Sequence, residues 1–143
     1  MRFLFIIILI SMYLSSCTKE KETTYYYKVT NSSNHKIVLN NYSQGSIVET
    51  TTLYSTNFEE YTYSVRGESG HSEPPFGDSV EVIFDDFLSI IHQSQLYDVI
   101  RNLKNNESYT GGEKTMGSKK YMFEYHYDYI FTNEDYQEAL NNQ

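Results

Sequence analysis

Alternation of apolar and polar residues runs through much of the chain and is clearest from Tyr121 to Phe131. Tyr121, Phe123, Tyr125, Tyr127, Tyr129 and Phe131 share one face there, and Met122, Glu124, His126, Asp128 and Ile130 share the other. A period of two is that of a strand, whose successive side chains point to opposite sides of a sheet. The aromatic face is the expected core face, because each Å2 of apolar surface removed from water contributes about 25 cal/mol. Tyr125 and Tyr127 are therefore expected inside, with Glu124 and Asp128 toward solvent. Ser79–Asp85 alternates as cleanly, with Val80, Val82 and Phe84 on one side, and Asp85-Asp86 is the expected hairpin turn into a strand over 87–92. Shorter runs rich in Tyr and β-branched residues predict strands over 23–30, 35–41, 47–54 and 58–66. Asn31-Ser32-Ser33-Asn34 and Gln44-Gly45-Ser46 separate them, since short polar side chains bond nearby backbone in competition with a ladder.

Helical spacing is scarce. Over 94–104, Leu96, Ile100 and Leu103 fit a helical stripe, while Val99-Ile100 suits a strand equally. Residues 105–112, around Tyr109, read as irregular. Thr132-Asn133-Glu134-Asp135 predicts a helix start, with Thr132 as N-cap, acids in the first turn, and Tyr136, Ala139 and Leu140 on one short apolar face. Gly67, Gly70, Pro74, Pro75 and Gly77 mark residues 67–78 as a loop joining two halves of one domain. About seven short strands separated by turns predict an all-β fold, an immunoglobulin-like antiparallel β-sandwich over 23–143 with a short C-terminal helix.

Ahead of this pattern stands a different one. Arg2 precedes an apolar run from Phe3 to Ile10, then Met12, Tyr13 and Leu14, then Ser15, Ser16 and the single cysteine, Cys17. A basic start, a short apolar core and small residues at a cleavage point describe an export signal. The run is too short and interrupted for a spanning helix, which needs about 20 apolar residues. Leu14-Ser15-Ser16-Cys17 resembles a bacterial lipobox, which implies cleavage after Ser16 and lipidation of Cys17. The expected organisation is a signal peptide over 1–16, a lipidated Cys with a charged tether over 17–22, and the sandwich domain. The partner so implied is the outer membrane, reached through the acylated Cys17, with periplasmic and surface orientation both open.

The tether, Thr18-Lys19-Glu20-Lys21-Glu22, loosely resembles the Lys-plus-acidic signals of surface-exposed Bacteroidota lipoproteins, although Lys21 splits the two acids. Further pieces point the same way: Asn31-Ser32-Ser33 before the Ile37 strand, Asp78-Ser79-Val80 leading to Phe84-Asp85-Asp86, Asn102-Leu103 before Ser108-Tyr109, and Thr132-x-Glu134-Asp135-Tyr136 before Ala139. Together they resemble small Bacteroidota lipoproteins of unassigned function. That resemblance brings no catalytic residues with it.

Loss of residues 1–16 leaves 127 residues, the size of one domain, and removes one charge, Arg2. The remaining 10 Lys+Arg against 19 Asp+Glu give −9, which argues against nucleic acid and against purely electrostatic docking on anionic lipid.

Candidate chemistry is thin, and no cofactor is expected. Glu124, His126 and Asp128 share a strand face and are all metal-ligand types, but neighbours about 6.8 Å apart along a strand reach one ion poorly. A solvated outer face explains them. Asp78, Glu81, Asp85 and Asp86 form an acidic cluster without EF-hand spacing, and turn chemistry accounts for Asp85-Asp86. Gly67-Glu68-Ser69-Gly70 falls short of a nucleophile elbow, and Gly112–Lys119 departs from a phosphate loop in its last residues.

No catalytic or metal residue is therefore assigned. The expectation is a lipid-anchored binding or accessory module for an envelope protein or glycan, not an enzyme. The alternative is a metal- or carboxylate-dependent envelope hydrolase. The candidate binding residues are Phe76, displayed on a loop stiffened by Pro74-Pro75, and any exposed member of Tyr25, Tyr26 and Tyr27. An extended chain must send at least one of three consecutive tyrosines outward. A buried Phe76, or substrate turnover abolished by Asp85→Asn, would contradict the binding reading.

Overall fold

The computed structural model describes residues 20–67, 73–94, 101–117 and 121–142. The segment over 1–16 expected to be a signal, Cys17 with its lipidation, and residues 95–100 of the ambiguous 94–104 stretch lie outside the described residues. Eight strands make two four-stranded sheets: β1 (Glu22–Asn31), β2 (Ile37–Ser43), β3 (Ser46–Leu53), β4 (Phe58–Arg66), β5 (Ser79–Phe84), β6 (Leu88–Gln93), β7 (Thr110–Met116) and β8 (Met122–Phe131). One sheet has the order β4-β1-β8-β7, the other β3-β2-β5-β6. All pairings are antiparallel except β1 with β8, which run parallel in register from Glu22↔Met122 to Asn31↔Phe131. A helix, α1 (Asn133–Asn141), follows β8 directly.

The sandwich expected from the strand pattern is present, with eight strands in place of seven. Its β1 and β2 lie in opposite sheets, whereas an immunoglobulin domain keeps its first two strands in one sheet. The unforeseen strand is β7. Gly111, Gly112, Glu113 and Lys114 have low strand propensity, and the ladder to β8 shifts register between Gly111 and Lys114. The glycines are there for close approach. A Cβ on Gly111 would sit 2.3 Å from the His126 carbonyl oxygen, and Gly111 also has φ +93.

The two inner faces differ in chemistry. The β2–β5–β6 side is largely aliphatic: Ile37, Leu39, Val80, Val82 and Leu88, with Phe84. The β1–β8 side is built from tyrosine. Register places Tyr63, Tyr25 and Tyr125 in one row across three strands, and Tyr61, Tyr27 and Tyr127 in the next. Within these rows the rings stack, with centroids 5.2 Å apart for Tyr25–Tyr63, 5.3 Å for Tyr25–Tyr125 and 4.7 Å for Tyr27–Tyr127. Tyr109 meets Tyr27 and Tyr129 edge-on at 5.3 and 5.4 Å. Such pairs add roughly 0.5–1.5 kcal/mol each beyond the area they bury.

Tyrosine suits these places because the hydroxyl reaches the rim. Tyr27 Oη donates to Asn106 Oδ1 at 3.2 Å, Tyr63 Oη to the Glu73 carbonyl at 2.8 Å, and Tyr109 Oη to the Leu103 carbonyl at 2.9 Å. Tyr129 Oη is buried and has no hydrogen-bond partner among the described residues. Burial pushes the Tyr109 and Tyr129 hydroxyls well above their ordinary range, so both stay neutral.

The turn cluster after β1 works through Asn31, which is fully buried. Its amide nitrogen donates to the His35 and Leu53 carbonyls, and its oxygen accepts from the Ser33 N–H and hydroxyl. One side chain thus ties the β1–β2 connection to the end of β3. At the other terminus Thr132 caps α1: its hydroxyl accepts from Glu134 N at 3.2 Å, and Asp135 Oδ2 accepts from Thr132 N at 2.6 Å. Arg101 then clamps both oxygens of Asp135 at 3.1 and 2.9 Å, fixing the helix to the irregular segment before β7.

Tyr125 is expected to be a major stabilising residue. Tyr125→Ala should lower the unfolding free energy by about 3–5 kcal/mol in chemical denaturation, the usual cost of deleting a large aromatic from a core. A loss under about 1 kcal/mol would mean that the stacked rows contribute little.

Candidate functional site

The residues singled out from the sequence part company in the structure. Tyr25 and Tyr27 are inner-face core residues at 1% and 0% exposure. Phe76 is also buried, at 7% exposure, which corrects the expectation that the loop displays it. Its ring meets Tyr61 edge-on at 5.2 Å, and Pro74 beside it is buried too. Three backbone ties hold it there: Lys104 Nζ donates to the Phe76 carbonyl at 2.9 Å, Gly77 N to Asn41 Oδ1 at 2.7 Å, and Asp78 N to the Tyr42 carbonyl at 2.7 Å. A Cβ on Gly77 would lie 2.1 Å from the Tyr42 oxygen, so only glycine lets the loop close so tightly. The stiff Pro-Pro backbone delivers the aromatic into the side of the core, where burial of a Phe gains about 1.5–3 kcal/mol. By the criterion stated above, the buried Phe76 contradicts the binding reading as the sequence framed it, on the 67–78 loop; of the candidate residues only Tyr26 lies on the outer side of its sheet.

Tyr26 is the member of its trio that points outward. On the outer face of the β4–β1–β8–β7 sheet its register partners are Thr62 and His126. The Tyr26 and His126 rings lie face to face with centroids 4.6 Å apart and planes 6° apart. Tyr26 is half-buried under this stack, and the His126 imidazole is the exposed member of the pair. Around it lie Glu124, whose Oε2 is 3.8 Å from His126 Nε2, and the row formed by Glu60, Lys28 and Asp128. Lys28 Nζ lies 4.2 Å from the Phe58 ring centroid, and Thr24 and Ser64 share a hydroxyl–hydroxyl bond of 2.9 Å. The face is rich in donors and acceptors. Among the described residues no three His, Cys, Asp or Glu side chains converge as a metal site.

The acids of the expected cluster do not converge. Asp78 and Asp85 flank opposite ends of the six-residue β5, about 23 Å apart at the rise of an extended strand. Asp78 Oδ2 accepts from Gln44 N at 2.6 Å, and Glu81 Oε2 from Asn40 Nδ2 at 3.0 Å and Tyr42 Oη at 3.2 Å. Asp85 and Asp86 form the expected hairpin turn, both at positive φ. Asp85 accepts from Lys36 N at 2.9 Å and pairs with His35 Nδ1 at 2.6 Å, while the His35 ring stacks on Tyr136 of α1 at 3.6 Å. The His35 bond, helped by the Lys36 N–H, holds the Asp85 carboxyl below its ordinary range. This His–Asp contact joins three chain segments, and sequence reading missed it because its members are 50 residues apart.

His92 lies in the interior, apart from both His126 and His35. It is buried, its Nδ1 accepts from Leu103 N at 3.1 Å, and burial with nearby Arg101 lowers its pKa to about 4. Gly67 is the one described residue of the elbow-like stretch, and Gly112 of the phosphate-loop-like stretch sits in the β7 irregularity. Comparison with known proteins finds no matching family model, no similar characterised protein and no similar solved structure.

The His92 environment has a pH consequence. Its folded pKa lies below the unfolded value of 6.5, so the unfolded chain takes up the proton first as pH falls. Stability from a neutral His92 is full above pH 6.5 and is lost as pH drops toward 4, by on the order of 3 kcal/mol. Urea unfolding between pH 7 and 4.5 should show this slope in the wild type and a flatter one in His92→Gln. An unchanged slope in the variant would remove His92 as its source.

Proposed function

We propose that the protein is a lipid-anchored binding or accessory module of the bacterial cell envelope, held by Cys17 and engaging an envelope glycan or protein through the Tyr26–His126 face. The signal-like segment and the lipobox-like ending at Cys17 support the anchor. The observation that carries the binding half is the Tyr26–His126 stack on the outer face, set among hydroxyls, carboxylates and the Lys28 ammonium. Phenol and imidazole combine apolar ring edges with hydrogen-bonding atoms, the combination that binding surfaces favour. A ligand rich in hydroxyl groups matches that mixture best. This reading does not use the 67–78 loop.

Two measurements test it separately. Intact mass of the membrane-extracted protein should show diacylglyceryl and acyl groups on Cys17, and Cys17→Ala should leave the detergent phase. An unmodified Cys17 on wild-type protein overturns the anchor. For the face, Tyr26→Ala should weaken binding of the purified soluble domain to isolated envelope fragments about tenfold, or ~1.4 kcal/mol, with protease-treated fragments separating glycan from protein. Its own stability should fall by only about 1 kcal/mol, the worth of one aromatic pair. Equal binding by Tyr26→Ala and wild type, or turnover of a glycan, peptide or ester, contradicts the binding role.

A further inference from the structure

We propose that the tether end of the sandwich rests on the bilayer that holds Cys17, with Tyr121 and Met116 seated among the lipid headgroups. The inference rests on the lipid anchor proposed above and adds a surface and an orientation to it. Cys17 stands five positions before Glu22, the first residue of β1. Five residues span at most about 18 Å when fully extended, so the lower end of β1 is held within a headgroup layer's distance of the acyl chains.

The point where the tether enters the fold is fixed. Glu22 N donates to the Tyr121 carbonyl at 3.1 Å, Gly67 N donates to the Lys21 carbonyl at 2.7 Å, and Thr23 Oγ1 donates to the Gly67 carbonyl at 2.7 Å. The chain is thus strapped to the ends of β4 and β8 before it leaves, and Tyr121 is carried at the exit.

That same end exposes apolar side chains. Met116 is 67% exposed and Tyr121 38% exposed, one on each side of the β7–β8 turn, where Gly117 N donates to the Met122 carbonyl. Phe123, the register partner of Met116, lies under two ammonium groups: Lys114 Nζ at 3.9 Å from its centroid and Lys21 Nζ at 5.8 Å. These are cation–π contacts that hold two ammonium groups on the ring face, beside the exposed Met116 and within reach of headgroup phosphates. Tyrosine favours the same depth, with its ring among headgroups and its hydroxyl in water.

The mature chain's charge of −9 opposes an anionic surface, so contact here is by apolar insertion. A tether this short supplies millimolar effective concentration, which populates a contact too weak to recruit the untethered domain. The exposed Phe87 and Tyr54 belong to the opposite end of the strands and would face away from the membrane.

The protein contains no tryptophan, so one introduced indole reports its own surroundings. Full-length lipidated protein carrying Tyr121→Trp, Met116→Trp or Phe87→Trp would be reconstituted into vesicles of phosphatidylethanolamine and phosphatidylglycerol with brominated acyl chains. Tyr121→Trp and Met116→Trp are expected to lose about half their emission, as rings roughly 5–10 Å into the interface do, and Phe87→Trp to keep its emission. Raising the phosphatidylglycerol fraction should not increase quenching. Protein that floats with the vesicles while neither Tyr121→Trp nor Met116→Trp is quenched more than Phe87→Trp overturns this inference and leaves the anchor standing. Protein that fails to float overturns both.

Discussion

The parallel, in-register pairing of β1 with β8 is the constraint on which the rest of this structure depends. It joins the first strand of the domain to the last, so every intervening strand is placed by a closure made across the whole chain. Such long-range closure costs loop entropy before it returns contact energy. The return here is concentrated in tyrosine. Two rows of rings cross β4, β1 and β8, and Tyr109 fits against them edge-on from the segment before β7. If the register slipped by one residue, the rows would turn outward and Glu124, His126 and Asp128 would turn into the core.

This explains which features were legible in the sequence. The inner face of β8 was plain because a strand with one buried side alternates with period two, and Tyr125, Tyr129 and Phe131 are buried. Phe123 and Tyr127 are only half-buried, Tyr121 before the strand is exposed, and Glu124 and Asp128 opposite are half-buried, because the face opens toward the start of β8. The Asp85-Asp86 turn, the Asn31 cluster and the Thr132 cap were plain because each is chemistry within a few residues. What escaped was whatever depends on partners far along the chain. β7 owes its extension to pairing with β8, against the preference of Gly111 and Gly112. Phe76 was misplaced for the same reason: locally it is an aromatic on a stiff loop, but Tyr61, Asn41 and Tyr42 draw it in. His126 announced itself only as one member of an outer face. Its stacking on Tyr26 follows from pairing across 100 positions.

The same pairing links fold to proposed role. Were Cys17 lipidated as proposed, pull on the anchor would be borne by β1, a strand bonded on both sides by β4 and β8. It also sets Tyr26 and His126 side by side on the outer face, and brings the tether exit beside Tyr121. In this reading one end of the sandwich meets lipid and a lateral face of the β4–β1–β8–β7 sheet meets its ligand.

Amide hydrogen exchange of the folded domain tests the central place of β1–β8 most directly. The amides of Tyr25–Val29 and Tyr125–Tyr129 should be the slowest in the protein, exchanging only through global unfolding, while those of the exposed edge strand β3 exchange by local opening. β1 and β8 amides that exchange as fast as those of β3, or a protected core confined to β2 and β5, would contradict the account.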